Sequence, residues 1–389
     1  MVLPLQGITI LDLSRLLPGP YCSQMLADFG AEVIKVEDTG RGDYLRDFPP
    51  QLGQHSALYY SVNRNKKSIK LDLKQEEGKA VFRKLVAQSD VVLEGFRPGV
   101  MDKLNLGYDK LKKINPRLIY CAITGYGLDG PYRNFAGHDV NYLSYAGITG
   151  LIGQKGEKPA LSDIQIADIG GGALMGVISI LLALQARNIT GTGQLCDVSM
   201  MDGVVSWLPF ILGRCGAGEE AIRGTGLLGG GFACYNIYPT NDSKYVSLGA
   251  IEDKFWATFC RLTGHEEFIP VQMEHEYQEE MINKLSDMFF QKSQAEWVRF
   301  FEGHDICFSP VNDLSQTILD PQIRHREMIL DADVEGNKVM LTGIPVKLSA
   351  TPGVINAKFS EHGEHTKEVL MKFGYTEKEY ERLKDKGVV

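Results

Sequence analysis

Within its first 125 residues the chain switches repeatedly between short β-rich runs and longer helical patterns, and this alternation restricts the fold more than any other feature. "GITILDLS", "AEVIKVE", "SIKLDLK", "DVVLE" and "RLIYCAITGYG" are short and rich in Ile, Val and Leu. Between them lie helical segments such as "YCSQMLADFG", ending at Gly30, and "EEGKAVFRKLVAQS". Strands separated by helices return parallel rather than as hairpins, so the pattern predicts βαβ units around a parallel sheet, an α/β fold of Rossmann-like type. The turn after the first strand reads "LLPGPYC" in place of G-x-G-x-x-G. Prolines there remove the amide donors that a dinucleotide pyrophosphate needs, which argues against a nicotinamide or flavin site.

A length of 389 residues exceeds one ordinary compact core and predicts two structural units. "DIGGGALMGVISILLALQ", beginning at Asp168, is small and apolar nearly all round, and is expected as a packed internal helix rather than a membrane span. A glycine-rich break, "RGTGLLGGG", precedes a change of character over about 232–320, where short strands and charge-rich helices predict a smaller second domain. The charged amphipathic tail "EHGEHTKEVLMKFGYTEKEYERLKDKGVV" is expected to dock on the first domain.

A net charge of −8 argues against nucleic acid or an anionic membrane as the main partner. Asp12 and Arg15 interrupt the opening segment, which has neither a basic leader followed by an apolar stretch nor the length of a span, so a cytoplasmic protein is expected. Seven scattered cysteines without C-x-x-C spacing read as reduced packing residues. No metal site is expected: H-E-x-x-H is missing, and "HGEH" in the tail is a weak pairing.

Two stretches carry chemistry. In "AGHDVNYLSYAGITG", His138 lies between a glycine turn and an apolar run; it reads either as a satisfied histidine at a helix start or as a general base, since imidazole titrates near neutral pH. Asp139 beside it is a candidate N-cap that would turn free amides into the same space. In "QIADIGGG", Asp168 passes from an apolar segment into three glycines with no cation nearby in sequence. It is either an ordinary N-cap or a carboxyl whose pKa desolvation raises, and the glycines would let a ligand or a second backbone approach. Glu252, at a strand end in "SLGAIEDKF", is a surface glutamate unless it lies beside a histidine, whose tautomer it would then fix. Arg64, Lys66, Lys67, Lys70 and Lys74, with Lys35, Arg41, Arg97 and Lys103, are either a solvated sheet edge or side chains able to hold phosphates.

Taken with "ILDLSRLLPGP", "ADFGAEVIKVE", "NRNKKSIKLDLK", "LEGFRPGVMDKLNLGYDKL", "NPRLIYCAITGYGLDGPY" and "GEHTKEVL", these stretches make the chain resemble the class III CoA-transferase (CaiB/BaiF) family over nearly its whole length, nearest the α-methylacyl-CoA racemase branch. The resemblance implies an acyl-CoA enzyme built as an interlocked homodimer. Its implied layout is a large CoA-binding domain with a long linking helix at 1–225, a small α+β domain at 226–325, and a segment at 326–389 that returns to the large domain. Coenzyme A would arrive as part of the substrate, with no tightly bound cofactor. The family's aspartate falls on Asp168, the racemase's second base on His138 and its supporting glutamate on Glu252, with Asp139 offering a backbone amide to an enolate. Residues implied at the CoA are Leu17, Arg64, Leu71, Lys74, Phe96, Arg97, Lys103 and Gly137. Asp38 stands where many relatives place an arginine on the nucleotide, and Arg41 is the candidate substitute.

Two activities follow from the resemblance. One is epimerisation of a 2-methyl-branched acyl-CoA by exchange of its α-proton between His138 and Asp168 on opposite faces of a planar enolate. Tyr142, Tyr145 and Tyr235 would then offer the acyl chain a flat surface. The other is CoA transfer to a free carboxylate, with Asp168 as nucleophile passing through a mixed anhydride and an aspartyl-CoA thioester.

Overall fold

A computed structural model describes residues 2–53, 55–334 and 336–389, and the chain divides into two compact units. The first comprises 1–146, 163–207 and 321–389; the second comprises 147–162 and 208–320. The unit limits thus fall at 207/208 and 320/321, where the sequence suggested 225/226 and 325/326, and the short segment 147–162 joins the second unit.

The first unit is built on six strands: β1 (Thr9–Asp12), β2 (Glu32–Glu37), β3 (Lys66–Lys70), β4 (Val91–Glu94), β5 (Ile119–Thr124) and β6 (Leu195–Ser199). All pairings are parallel and the spatial order is β3-β2-β1-β4-β5-β6. Every residue of β4 and β5 is buried, as expected for strands covered on both faces. The edge strand β6 instead begins with exposed and buried positions alternating. Asp12, Glu37, Glu94, Thr124 and Ser199 close their strands and are nonetheless buried, so polar chemistry gathers at the carboxyl edge of the sheet.

Helix α1 (Pro18–Asp28) follows β1 and takes Pro18 into its first turn, where a missing N–H costs no intrahelical bond. Helix α2 (Glu76–Val86) turns Val81, Phe82 and Leu85 onto the sheet residues Leu11, Ile34 and Val92. Val369, Leu370 and Phe373 enter that same core, so the tail packs on the first unit. The short helix α3 (Asp139–Tyr145) precedes a continuous helix, α4, over Ala167–Thr190. Its opening, Ala167–Leu174, is π-helical and its remainder, Met175–Thr190, is α-helical. The glycines at the start of α4 admit another backbone: a Cβ at Gly171 would lie 2.3 Å from the carbonyl oxygen of Met200, at the head of α5 (Met200–Val205). Gly203 of α5 returns the contact, with its notional Cβ 2.4 Å from the oxygen of Gly171.

Helix α4 is long and apolar enough to cross a membrane by length and composition, and half of its most apolar window is buried inside the structure. Ile178, Leu181, Leu182 and Ile189 remain exposed on it.

In the second unit, β7 (Tyr235–Pro239), β8 (Tyr245–Gly249) and β9 (Phe308–Pro310) form an antiparallel sheet with β8 in the centre. Trp256, Phe259, Phe289, Trp297 and Phe301 make up an aromatic core beside it, with Tyr238 stacked on Phe289 at 5.0 Å.

Candidate active site

The strand order of the large sheet reverses direction between β1 and β4, which makes the crevice outside their carboxyl ends the topological switch point. In open α/β sheets that crevice is where ligands bind. A cavity of about 550 Å³ occupies it, walled by Ser14 and Arg15 after β1 and by Phe96 and Arg97 after β4. Gly137, His138 and Asp168 line the same cavity. The imidazole and the carboxyl, thirty residues apart in the chain, therefore share one opening.

His138 is the residue before α3, and its backbone N–H donates to Oδ1 of Asn141 at 3.0 Å, which ties the entry to the helix. Its ring is exposed. Tyr142, one turn on, is buried and sends its hydroxyl to the carbonyl of Gly137 at 2.5 Å, fixing the loop that carries the histidine. Tyr126 packs edge-on against Tyr142 at 5.1 Å and against Tyr145 at 5.7 Å, so α3 presents an aromatic wall.

Asp168 stands in the π-helical opening of α4, a rare form of helix that is frequent at functional sites. It does not cap that helix. Oδ1 of Asp139 does so, accepting from the amides of Ala167 at 2.6 Å and Asp168 at 3.0 Å. Of the two readings of Asp168, the ordinary N-cap is thus set aside, since the hydrogen bonds to the opening amides of α4 come from Asp139. Left half-buried, Asp168 has its pKa pushed up to about 6, first by desolvation and then by the negative charge of Asp139, with His138 pulling the other way. Asp139 is in turn the first residue of α3 rather than its cap.

The remaining implied residues divide. Phe96, Arg97 and Gly137 lie on the cavity wall. Leu17 follows a wall residue but packs toward Leu45 and Tyr59. Arg64 is buried and spends Nε and Nη2 on the carboxylate of Asp28, at 3.0 and 2.7 Å, and Nη1 on the carbonyl of Thr342 at 2.7 Å. Each of its three nitrogens thus already holds a protein oxygen. Leu71 is enclosed in the main core. Lys74 and Lys103 are exposed and away from the cavity wall. Glu252 lies in the second unit, immediately before the helix Asp253–Thr263, where its carbonyl accepts from the amides of Phe255 and Trp256.

Lys35 and Lys66, among the basic residues, also turn inward. Lys66 donates to the carbonyl of Pro20 at 2.8 Å and Oδ1 of Asn63 at 3.0 Å, and burial pushes its ammonium down to about 7. Lys35 pairs with Asp43 at 2.8 Å. The cations facing the cavity are instead Arg15, Arg97 and Arg133. Asp38 binds Arg15 at 2.9 Å, while Arg41 pairs with Asp47. Arg15 was legible in principle, since it follows β1 at the switch point; Arg133 sits in a loop with no sequence signal of its own.

The family model CoA-transferase family III matches residues 5–366. A human protein named alpha-methylacyl-CoA racemase is 37% identical over 389 residues, covering 99% of this chain and 97% of that one. Human succinyl-CoA:glutarate CoA-transferase is 31% identical, covering 99% of this chain and 90% of its own length. A crystal structure of a CAIB/BAIF family protein from Brucella suis superposes with a TM-score of 0.83 at 30% identity, covering 96% of this chain and all of that one. The chain is an enzyme of CoA-transferase family III.

Proposed function

We propose that the protein epimerises the α-carbon of a 2-methyl-branched acyl-CoA by exchanging a proton between two bases. The observation that carries the reading is that His138 and Asp168 line one cavity while the Asp168 carboxyl, half-buried beside the Asp139 carboxylate, is pushed to a pKa of about 6. Both protonation states of such a carboxyl are within reach near neutrality, as a proton shuttle requires.

In this mechanism the neutral His138 imidazole takes the α-proton from one face of the thioester. The C–H electron pair moves into the carbonyl to give a planar enolate, and protonated Asp168 delivers its proton to the opposite face. The reverse reaction exchanges the roles. The backbone N–H of Asp139 has no acceptor among the described residues and is proposed to receive the enolate oxygen. Arg15, Arg97 and Arg133 are proposed to hold the phosphates of the CoA moiety, which enters as part of the substrate.

The exposed apolar side chains of α4, among them Leu182 and Ile189, support assembly with a second copy of the chain, the interlocked homodimer that the family resemblance implies. In that assembly Glu252 is proposed to orient an imidazole. No nucleic-acid or membrane partner is part of the reading.

CoA transfer to a carboxylate is the second reading, favoured by the similarity to a glutarate CoA-transferase. Incubating the enzyme in heavy water with one stereoisomer of 2-methylacyl-CoA separates the two. The proposal requires deuterium at the α-carbon and loss of stereochemical purity with no acceptor acid present. Absence of label, together with CoA appearing on an added acid, would transfer the assignment to the alternative.

A further inference from the structure

We propose that the side chain of Asp139 is a positioning residue that holds the Asp168 segment in register with His138. The inference rests on the two-base reading above but concerns a different atom: the Asp139 carboxylate, not its backbone.

The geometry is unusual for an acidic residue in the first turn of a helix. Such a side chain ordinarily serves the amides of its own helix. Oδ1 of Asp139 reaches instead to α4, accepting from Ala167 and Asp168, 28 and 29 residues further along the chain. The next amide, that of Ile169, is already taken by the carbonyl of Gln165 at 3.0 Å. The Asp139 carboxylate is thereby pinned to the segment that carries Asp168, where its charge opposes ionisation of the Asp168 carboxyl. The arrangement also ties the two reacting groups together. Asp139 is joined to His138 by a peptide bond and to Asp168 by a hydrogen bond, so one residue sets their separation across the cavity.

The charged and titratable groups around Asp168 are few. From α3 it meets His138 and Asp139. Tyr142 of the same helix lies within its field and within that of Arg97. On α5, Asp202 acts on Asp197 instead. On α1, Asp28 is committed to Arg64 and Cys22 packs beside Gly176. Asp139 is thus the only carboxylate that reaches Asp168 among the described residues.

Two variants test this. Asp139→Asn keeps an oxygen that can accept the amides but removes the charge; Asp139→Ala removes both. The carboxyl ¹³C signal of Asp168, assigned by its loss in Asp168→Asn, reports the titration directly in the substrate-free protein. Its midpoint is expected to fall by about half a unit to one unit in both variants, since each removes the Asp139 charge. For α-proton exchange, kcat is expected to stay within about tenfold in the Asn variant and to drop on the order of 100-fold or more in the Ala variant, with KM within about threefold in both.

An Asp168 midpoint unchanged in both variants would overturn the proposal, as would equal kcat losses in the two. If Asp139→Ala does not fold, the isosteric Asn variant and its titration decide alone. The substrate-free titration is independent of the reaction catalysed. A wild-type enzyme that exchanges no α-proton, yet shows the expected shifts, would sink the epimerase reading and leave the positioning role standing.

Discussion

Exchanging the Asp168 carboxyl for the amide of asparagine removes a charge that the fold disfavours. The pKa of this carboxyl rises from 3.8 to about 6 on folding, so between those values the folded state binds more protons than the unfolded chain. Stability must then decline as pH climbs through that window and stay reduced above it. The gap corresponds to about 3 kcal/mol, and because the carboxyl is only partly enclosed we expect about 2 kcal/mol to be realised. Asparagine has nearly the same shape and does not titrate. Asp168→Asn should therefore match the wild type near pH 4, gain on it between pH 4 and 6, and hold a constant advantage above. For a large domain that advantage is a rise in Tm of roughly 4–8 °C. Calorimetry or dye-based melting at pH 4.5, 5.5, 6.5 and 8, at one scan rate, reads it. A difference that does not vary with pH, or a wild type more stable than the variant at pH 8, would refute the account of Asp168 as a partly desolvated acid.

Arg64 and Arg97 should separate cleanly. Arg64→Ala strands Asp28 without its partner and is expected to cost about 3–5 kcal/mol of stability in denaturant unfolding, because a buried charge loses its compensation. Arg97→Ala is expected to leave stability within about 0.5 kcal/mol and to raise KM for acyl-CoA about 10- to 100-fold, through loss of a charge-assisted contact. Gly171→Ala drives a methyl into the Met200 carbonyl and should lower stability by about 3 kcal/mol. Gly213→Ala, on a helix with open space around it, should be neutral or stabilising by up to about 1 kcal/mol in the same measurement.

The parallel sheet was legible because βαβ units betray themselves locally. Each buried strand is a short branched run, and each helix carries its own 3.6-residue pattern. "RLIYCAITGYG" accordingly contains β5, and "GITILDLS" contains β1. The pairing of His138 with Asp168 was reached through family resemblance, since neither local pattern points at the other. The role of the Asp139 side chain escaped sequence reading for the same reason: its hydrogen bonds span 28 and 29 residues, and an acidic residue at a helix start looks like a local cap whatever it reaches. The basic run misled in a different way. Composition leaves a solvated edge or a phosphate-holding one open, but strand pairing turns Lys66 inward while Arg64 closes on an aspartate of α1. Charge alone cannot report whether a cation already has an internal partner. The glycines after Asp168 were open to two readings, ligand approach or backbone approach, and the contact between Gly171 and Gly203 realises the second.

The most direct test of two opposed bases is hydrogen exchange resolved by epimer. Each pure stereoisomer of a 2-methylacyl-CoA is incubated in heavy water with His138→Ala and with Asp168→Ala, and α-deuterium is followed separately for each. The account predicts that one variant labels only one epimer, the other variant labels only its mirror partner, and neither interconverts them. Labelling of both epimers by a single variant, or full epimerisation without one of the two groups, would contradict it.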